Sequence, residues 1–355
     1  MFIFIVFLII IALFLQSNSK KGDLHFLDAA ISSSVNITEP GEEFTFSVEL
    51  RNRSWRILPF LKLRIYVPGG IEFPHLTKGS VSQSTAGGQE LTLTTWLMPR
   101  QRLVMEIPAV IGRRGRYFAN GLVIASGDFF GVSEMYTRYD DFVEVICLPK
   151  EADSDKALQI AGGFPGDLSV NRFIFDDPSL TIGAREYTGR EPMKQISWLR
   201  SAQSGRLMVK EMDHTLESSV TVVLNIDTDI EARQDSIELA YSMGRYVCRK
   251  LEDDRLSYAF ATNTDAIGDI KSYKYVGEGL GRMHFSHILE GLGRATYTCS
   301  MTNDQLIDLT VKKSSGSFGL VYITAGNDKD QCRQAIRLAQ KAGLQVYCIN
   351  TGGEE

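Results

Sequence analysis

Three carboxylates lie close together at the end of an apolar strand in the C-terminal half of the chain. Residues 220–226 are almost all apolar, and Asp227, Asp229 and Glu231 follow them directly. Carboxylate oxygens are preferred ligands of Mg²⁺ and Ca²⁺, so this loop could hold a divalent cation weakly. Acidic side chains are also favoured at a solvated helix N-terminus, where the helix dipole stabilises negative charge. We expect this second arrangement, without a bound cofactor.

Two further patterns have the residue types of known sites without their full spacing. The glycine-rich segment 277–281 follows a strand-like stretch, but Arg282 stands where a dinucleotide-binding loop requires its third glycine, which favours an ordinary βα loop.

His284 and His287 lie three residues apart on a predicted helix, a spacing that two metal ligands can share. Because no cysteine pair or acidic motif accompanies them, we expect histidines at the surface or at the boundary of the core.

The stretch from residue 185 to residue 211 mixes cations, anions and aromatic rings. We expect Trp198 and Tyr187 to be half-buried. Arg185 or Arg200 would then be available for a cation–π contact. The stretch either docks a partner peptide or fastens a connector to the following domain through a charge network. Burial distinguishes the two, since a docking site leaves its aromatic side chains accessible.

The N-terminal half has the pattern of a β-sandwich. From residue 22 to residue 150, apolar and polar residues alternate in short runs such as Phe44–Leu50 and Leu91–Leu97, and a period of two buries one face of a strand. Turn-forming groups such as Pro68-Gly69-Gly70 separate the runs. Short strands with turns between them predict an antiparallel β-sandwich over residues 22–150.

After residue 150 the pattern changes twice. Residues 151–215 are rich in glycine, proline and charge, which indicates a connector with short strands. From residue 216 to residue 355, apolar strands alternate with amphipathic helices, an order that predicts a doubly wound α/β domain around a parallel sheet. The predicted strands are 220–226, 256–261, 319–324 and 344–349, and the predicted helices are 237–251, 283–292, 304–311 and 329–342.

The N-terminus carries an apolar run from Phe2 to Leu15, followed by Lys20 and Lys21. A bilayer core requires about 20 apolar residues, so residues 1–19 form a short anchor only if the polar flank contributes. The alternative is a cleaved signal peptide, which typically carries a basic residue before its apolar core. No basic residue precedes Phe2. The lysines after the run favour a single-pass membrane protein whose following domains lie in the cytoplasm.

Composition narrows the classes of function. The net charge of −5 argues against wrapping of nucleic acid, which depends on clustered lysine and arginine. The five cysteines are odd in number and lack the spacing of a zinc site or of a disulfide framework. We therefore expect buried thiols in a reducing compartment.

Two groups of residues resemble the domain-of-unknown-function 58 family of bacterial proteins. The first group is Arg113–Tyr117 together with Gly127–Val132, at the end of the predicted sandwich. The second group matches the family pattern R-E-Y-x-x-G-D-x-x-R-x-I-x-W-x-x-x-A-R. The residues in register are Arg185, Tyr187, Ile196, Trp198 and Ala202. Glu191 stands where the family usually has aspartate and Lys194 where it has arginine, while the glycine lies one position early.

The resemblance implies a von Willebrand A-like C-terminal domain. Magnesium-binding domains of that type carry D-x-S-x-S after the first strand, and here Asp229 and Glu231 replace the two serines. Their fourth strand typically ends in T-D-G, whereas this chain has Thr324-Ala325-Gly326 and lacks that aspartate. A degenerate metal site follows from the resemblance. The family motif suggests an interaction site composed of Arg185, Tyr187, Glu191, Lys194 and Trp198.

These observations predict a membrane-anchored adaptor that is not an enzyme. Its C-terminal domain would present the carboxyl edge of the sheet, where ligands of such sheets collect, to a protein partner. The resemblance suggests a MoxR-type AAA ATPase and a transglutaminase-like membrane protein as partners. Two alternatives stay open. One is a metal-dependent binding or hydrolytic protein that uses Asp227, Asp229 and Glu231, and the other is an exported envelope-binding protein.

Overall fold

A computed structural model describes most of the chain and divides it into two compact units. The described residues are 4, 7, 10, 24–77, 79–83, 87–127, 134–153, 181–189, 193, 196–212, 219–227, 234–268, 273–313, 317–326, 329–341 and 344–351. The first unit comprises Met1–Lys150 and Leu292–Arg294, and the second comprises Glu151–Gly291 and Ala295–Glu355. The fold class is mixed α/β and rich in strands, as the alternation patterns predicted.

The first unit consists mainly of two β-sheets. A short 3₁₀ turn, Leu24–Phe26, precedes ten strands: β1 Leu27–Ser33, β2 Ile37–Thr38, β3 Glu43–Asn52, β4 Leu58–Pro68, β5 Ile71–Glu72, β6 Val81–Gln83, β7 Gly88–Leu97, β8 Arg102–Ile111, β9 Gly115–Gly127 and β10 Glu134–Cys147. One sheet has the order β1-β3-β8-β5 and the other β2-β10-β9-β4-β7-β6. All neighbours are antiparallel except β2 and β10.

Alternation of apolar and polar residues builds the core of this unit. In β3, Phe46, Val48 and Leu50 are buried while the residues between them are partly exposed, as a period of two requires. In β4, Leu61 and Leu63 are buried in the same way. Side chains from both sheets belong to one hydrophobic cluster. Apolar burial of this kind is the main stabilising contribution in a domain of this size.

The second unit contains a five-stranded sheet and a separate two-stranded ladder. The ladder pairs β11 Thr181–Glu186 with β12 Met208–Met212, and helix α1, Trp198–Ser204, lies between them in sequence. The large sheet comprises β13 Ser219–Asn225, β14 Ser257–Thr262, β16 Tyr275–Gly279, β18 Ser317–Thr324 and β19 Gln345–Asn350, in the order β16-β14-β13-β18-β19. Its strands are parallel except β16, which runs antiparallel to β14.

Helices connect the parallel strands. They are α2 Gln234–Asp253, α3 Arg282–Arg294, α4 Asn303–Lys313 and α5 Lys329–Lys341, and the short strands β15 Thr264–Ala266 and β17 Ala295–Cys299 pair antiparallel beside the large sheet. Strand β13 is buried along its whole length, consistent with its nearly continuous apolar sequence. Segment 277–279, expected in a loop, instead forms the end of β16, where the Glu278 carboxylate accepts a hydrogen bond from Ser219 Oγ (2.7 Å).

The predicted single-pass membrane placement is wrong. In the part of the chain that the structure describes, no helix is both long enough and apolar enough to cross a bilayer. Phe4, Phe7 and Ile10 are helical and exposed, and the rest of residues 1–23, including most of the predicted anchor 1–19, lies outside the described residues. The apolar run from Phe2 to Leu15 would extend about 21 Å as a helix, which is shorter than a hydrocarbon core of about 30 Å.

Candidate functional site

The segment with the family-like motif forms a small scaffold around the β11–β12 ladder. Arg185 lies opposite Val209 in the register of the ladder, and Ile196 forms an isolated antiparallel bridge to the same valine. Ile196 and Val209 are only 4% and 1% exposed. The Tyr187 N–H donates to the carbonyl oxygen of Leu207 (2.9 Å), which continues the pairing beyond the ladder. This scaffold fixes the position from which α1 starts.

Helix α1 is held against β12 through the hydroxyl group of Ser201. This oxygen accepts a hydrogen bond from Met208 N–H (2.8 Å) and donates to the carbonyl oxygen of Ser197 (2.8 Å). Ser197 N–H in turn donates to the carbonyl oxygen of Met208 (2.8 Å). Gly205 ends the helix with φ 69°, a left-handed conformation that glycine adopts without steric cost. The helix therefore has a fixed orientation despite its seven residues.

Four apolar side chains of this scaffold are exposed. Trp198 is 62% exposed, Leu199 is 73% exposed, Met193 is 68% exposed and Leu207 is 47% exposed. We call these four residues the Trp198 cluster. A segment that only fastened a connector would bury its aromatic side chain, so the exposure of Trp198 favours the docking alternative. Tyr187 is half-buried, as expected from the sequence.

Charged residues accompany the Trp198 cluster. Arg206 Nη1 lies 2.5 Å from Glu186 Oε1, and both side chains are largely exposed. Arg185 and Arg200 are exposed as well. Glu191 and Lys194, the other two predicted interaction residues, lie outside the described residues. Accessible guanidinium groups thus lie in the same segment as the Trp198 cluster, and tryptophan, methionine and arginine are all enriched at protein interfaces.

At the carboxyl edge of the large sheet, buried amides connect neighbouring strands. Asn263 Nδ2 donates to Asn225 Oδ1 (2.7 Å), and Asn225 Nδ2 donates to the Tyr322 hydroxyl (2.9 Å). That hydroxyl donates to Asn303 Oδ1 (2.6 Å). All four side chains are buried, and the network satisfies most of their polar atoms, whereas Asn303 Nδ2 is buried without a hydrogen-bond partner among the described residues. These residues were not identified from the sequence, although two of them end or directly follow adjacent parallel strands, where ligands of such sheets collect.

Asp227 is the only one of the three predicted acidic residues that falls within the described residues, since Asp229 and Glu231 do not. Its Oδ2 accepts a hydrogen bond from the Asn303 N–H (3.4 Å), and its Oδ1 lies 4.0 Å from Cys299 Sγ, which donates to it. Burial raises the pKa of the Cys299 thiol, and the Asp227 and Asp265 carboxylates raise it further. The thiol is therefore protonated near neutral pH and is a poor nucleophile.

The end of β18, where the von Willebrand A-like pattern would place its missing aspartate, is occupied by local hydrogen bonds. The hydroxyl oxygen of Thr324 accepts the N–H of Gly326 (3.2 Å), and the Thr324 carbonyl oxygen accepts the N–H of Thr351 (2.9 Å). Across the described stretches, no three His, Cys, Asp or Glu side chains converge in a way that could hold a metal ion.

The two histidines of α3 each pack against a tyrosine. His284 Nε2 lies 2.9 Å from the carbonyl oxygen of Tyr258, and its ring packs edge-on against the Tyr258 ring. Burial lowers the pKa of His284. His287 stacks on Tyr273 with ring centroids 4.8 Å apart. Both rings lie at the boundary between core and surface, as the sequence suggested.

Comparison with known proteins gives limited information. No protein-family model and no curated protein matches the sequence. Solved structures similar to part of the chain include AvmM, which catalyses macrocyclization in alchivemycin A biosynthesis (12% identity, 36% of this chain and 91% of that chain, TM-score 0.24). Others are a CARDB domain from Pyrococcus furiosus (14%, 35% and 90%, 0.23) and a non-cellulosomal cohesin from Archaeoglobus fulgidus (12%, 37% and 96%, 0.23). At these scores they identify neither the fold nor the function of this chain.

Proposed function

We propose that the chain is a non-enzymatic interaction protein that docks a protein partner through the Trp198 cluster. The observation that carries this proposal is the 62% exposure of Trp198 on a helix that Ser201 holds in a fixed orientation. Large apolar side chains exposed together are typical of sites that become buried on association. Tryptophan is also enriched among the interface residues whose truncation weakens binding most.

The energetics of docking depend on the rigidity of the scaffold. Because α1 is already fixed to β12, association does not have to order this segment, and less of the interaction free energy is lost to conformational entropy. Burial of the Trp198 cluster then contributes mainly through removal of apolar surface from water. The exposed guanidinium groups of Arg185 and Arg200 would lie at the rim, where charges affect specificity and association rate more than affinity.

We further propose that the chain is a member of the domain-of-unknown-function 58 family, with a β-sandwich followed by a von Willebrand A-like domain. The shared core of the two sheets in the first unit supports the sandwich. The parallel order β14-β13-β18-β19, with helical connections and Asp227 just beyond β13, supports the second domain. On the basis of the family resemblance, the partner is a MoxR-type AAA ATPase, and a transglutaminase-like membrane protein is a second partner.

Docking in this proposal requires no metal cofactor. Both carboxylate oxygens of Asp227 already accept hydrogen bonds from the protein, and a cation would have to replace them. We expect calorimetric titration of the full chain with Mg²⁺, Ca²⁺ or Mn²⁺ to show no binding tighter than a Kd of about 1 mM, since the Asp227 oxygens are already engaged by the protein. Tight binding of any of these ions would instead support the metal-dependent alternative.

The docking proposal is tested by the affinity of the full chain for a purified MoxR-type AAA ATPase from the same organism. We expect Trp198→Ala to weaken binding about 30-fold, because truncation of a central interface tryptophan typically costs about 2 kcal/mol or more. Biolayer interferometry with the chain immobilised measures this change.

Trp96→Ala is the matched control, since Trp96 is a similarly exposed tryptophan of the first unit, at 52%. We expect this variant to bind like the wild type, and both variants to keep the wild-type melting temperature. Equal affinity of the Trp198→Ala variant would exclude the Trp198 cluster as the docking surface. Failure of the wild-type chain to bind the ATPase would show that the ATPase is not a partner of this protein.

A further inference from the structure

A second exposed aromatic side chain lies at one end of the first unit. Trp55, in the loop between β3 and β4, is 78% exposed. The guanidinium carbon of Arg100, in the loop between β7 and β8, lies 4.8 Å from the centre of the Trp55 ring. Arg100 has φ 58°, a left-handed conformation that is uncommon for a residue other than glycine. Arg100 thus combines a strained backbone conformation with a cation–π contact, and this contact holds the Trp55 ring.

The buried side chain of Asn52 joins the two loops. Its Nδ2 donates to the carbonyl oxygens of Arg56 (2.8 Å) and Met98 (3.0 Å), and its Oδ1 accepts from the hydroxyl of Ser54 (2.7 Å). The Arg100 N–H donates to the carbonyl oxygen of Ser54 (3.1 Å). Since Asn52 is only 1% exposed, water does not compete for these bonds. The loops therefore present Trp55 from a fixed backbone.

The charge around Trp55 is opposite to that of the whole chain. Five arginines and no lysine occur in the stretches 51–57 and 98–102, namely Arg51, Arg53, Arg56, Arg100 and Arg102. Asp28 pairs with Arg53 (2.9 Å) and Glu49 with Arg102 (2.6 Å), and Arg51 and Arg100 add further positive charge in a protein whose net charge is −5. Exposed apolar area continues at Phe26, 51% exposed, and Met98, 47% exposed. We call Phe26, Trp55, Met98 and these arginines the Trp55 platform.

The existing ion pairs indicate which anion suits this surface. Arg102 binds the Glu49 carboxylate with two parallel hydrogen bonds, from Nε to Oε1 (2.6 Å) and from Nη2 to Oε2 (2.8 Å). This fork geometry is a property of arginine that lysine lacks, and it matches planar carboxylates. A partner that places carboxylates beside an apolar side chain would match both the guanidinium groups and the Trp55 ring.

We propose that the Trp55 platform binds an acidic peptide segment of a protein partner, in which aspartate or glutamate residues flank a leucine or an aromatic residue. The apolar residue packs on Trp55, and the carboxylates pair with arginines of the platform. Because the loops are fixed before binding, little ordering accompanies association. This surface belongs to the first unit and does not depend on the Trp198 cluster.

The test is fluorescence anisotropy of the full chain with a panel of fluorescein-labelled eight-residue peptides. The acidic peptides alternate Asp or Glu with Leu, Phe or Trp, and the control peptides replace every acidic residue with Lys or with Ser. We expect binding of acidic peptides only, weakened about 30-fold by Trp55→Ala and about fivefold by Arg100→Gln, and weakened by added salt. Trp198→Ala is expected to leave this binding unchanged, which separates the result from the docking proposal above.

Three outcomes would overturn the proposal. The first is binding of no acidic peptide, or equal binding of the lysine peptides. The second is unchanged affinity of the Trp55→Ala variant at an unchanged melting temperature. The third is preferential binding to vesicles of phosphatidylcholine and phosphatidylserine over every peptide, which would assign the platform to an anionic lipid surface instead.

Discussion

The Asp227 carboxylate lies beside the Cys299 thiol and affects its protonation. Cys299 is half-buried at the end of β17, and Asp227 follows β13. Burial raises the pKa of the thiol, and the negative charge of Asp227 adds to this because it disfavours a second anion nearby. While the thiol is protonated, it donates a hydrogen bond to Asp227 Oδ1. A residue that could have been a reactive cysteine is therefore kept in its unreactive form.

We expect Asp227→Asn to speed the alkylation of Cys299 by a factor of a few at pH 8. The substitution removes the negative charge, lowers the pKa of the thiol and increases the fraction of thiolate, which is the reactive form. In the wild-type chain the alkylation rate of Cys299 should keep rising with pH after the rate of an ordinary cysteine has reached its plateau, because the pKa of the Cys299 thiol is raised. Iodoacetamide labelling followed by mass spectrometry of the Cys299 peptide measures both effects.

Cys348 serves as the internal reference for this measurement, because it is another half-buried cysteine and lies on a different strand, β19. Its labelling rate is expected to be the same in both proteins. A slower or unchanged rate at Cys299 in the variant would show that Asp227 does not control the thiol.

At the residue scale, the sequence located some site residues and missed others. Asp227 was identified because an acidic residue after an apolar strand is a local signal. Asn263, Asn303 and Asn52 were not, because an asparagine becomes a connecting residue only when distant chain segments meet around it, and single-sequence patterns do not specify those contacts. Trp198 was expected to be half-buried but is 62% exposed, because its exposure depends on what packs on α1 and a single sequence does not specify that.

At the element scale, α1 depends on its tertiary contacts. An isolated helix of seven residues is unstable in water, because the cost of nucleation exceeds what so few hydrogen bonds return. Ser197 provides no side-chain cap at its N-terminus. The link from Ser201 to Met208 therefore contributes much of the orientation of the Trp198 cluster.

We expect Ser201→Ala to destabilise this scaffold by about 1 kcal/mol, the usual contribution of a hydrogen bond whose partner stays unsatisfied. Amide hydrogen exchange should become about fivefold faster at Met208 and along α1 while other elements keep their protection. Ser204→Ala is the matched control on the same helix, because the Ser204 hydroxyl donates only to nearby carbonyl oxygens, those of Arg200 and Arg206. Equal exchange at Met208 in the two variants would contradict the role of Ser201.

Strand direction was predicted less well than strand position. The predicted parallel strands correspond to β13, β14, β18 and β19, since apolar runs followed by amphipathic helices are a strong local signal. The start of β16 was recognised only as a strand-like stretch, and its antiparallel direction and the β15–β17 pair were not predicted. These strands are three to five residues long, too short to show a period, and their direction is set by pairing with neighbours that are distant in sequence.

At the scale of the whole molecule, the change of pattern near residue 150 reflects two compact units with different cores. The first core gathers side chains from two sheets, and a cluster in the second unit includes Val223 of β13, Leu306 of α4 and Ala335 of α5. The division into two units could be predicted from composition and periodicity, because each core is built from many residues that repeat one pattern. The membrane prediction was wrong: it rested on one short apolar run and on the two lysines that follow it, and no described helix is both long enough and apolar enough to cross a bilayer.

The hydrogen bonds of Asn52 make the two loops sensitive to deamidation of this residue as the protein ages. Its amide group donates both hydrogens to carbonyl oxygens, so deamidation to aspartate would turn a double donor into an acceptor facing two other acceptors. The isosteric product has the right shape and the wrong polarity, and the two loops would separate. A slow spontaneous reaction at this one position would thus remove the fixed display of Trp55 while the rest of the sequence stays intact.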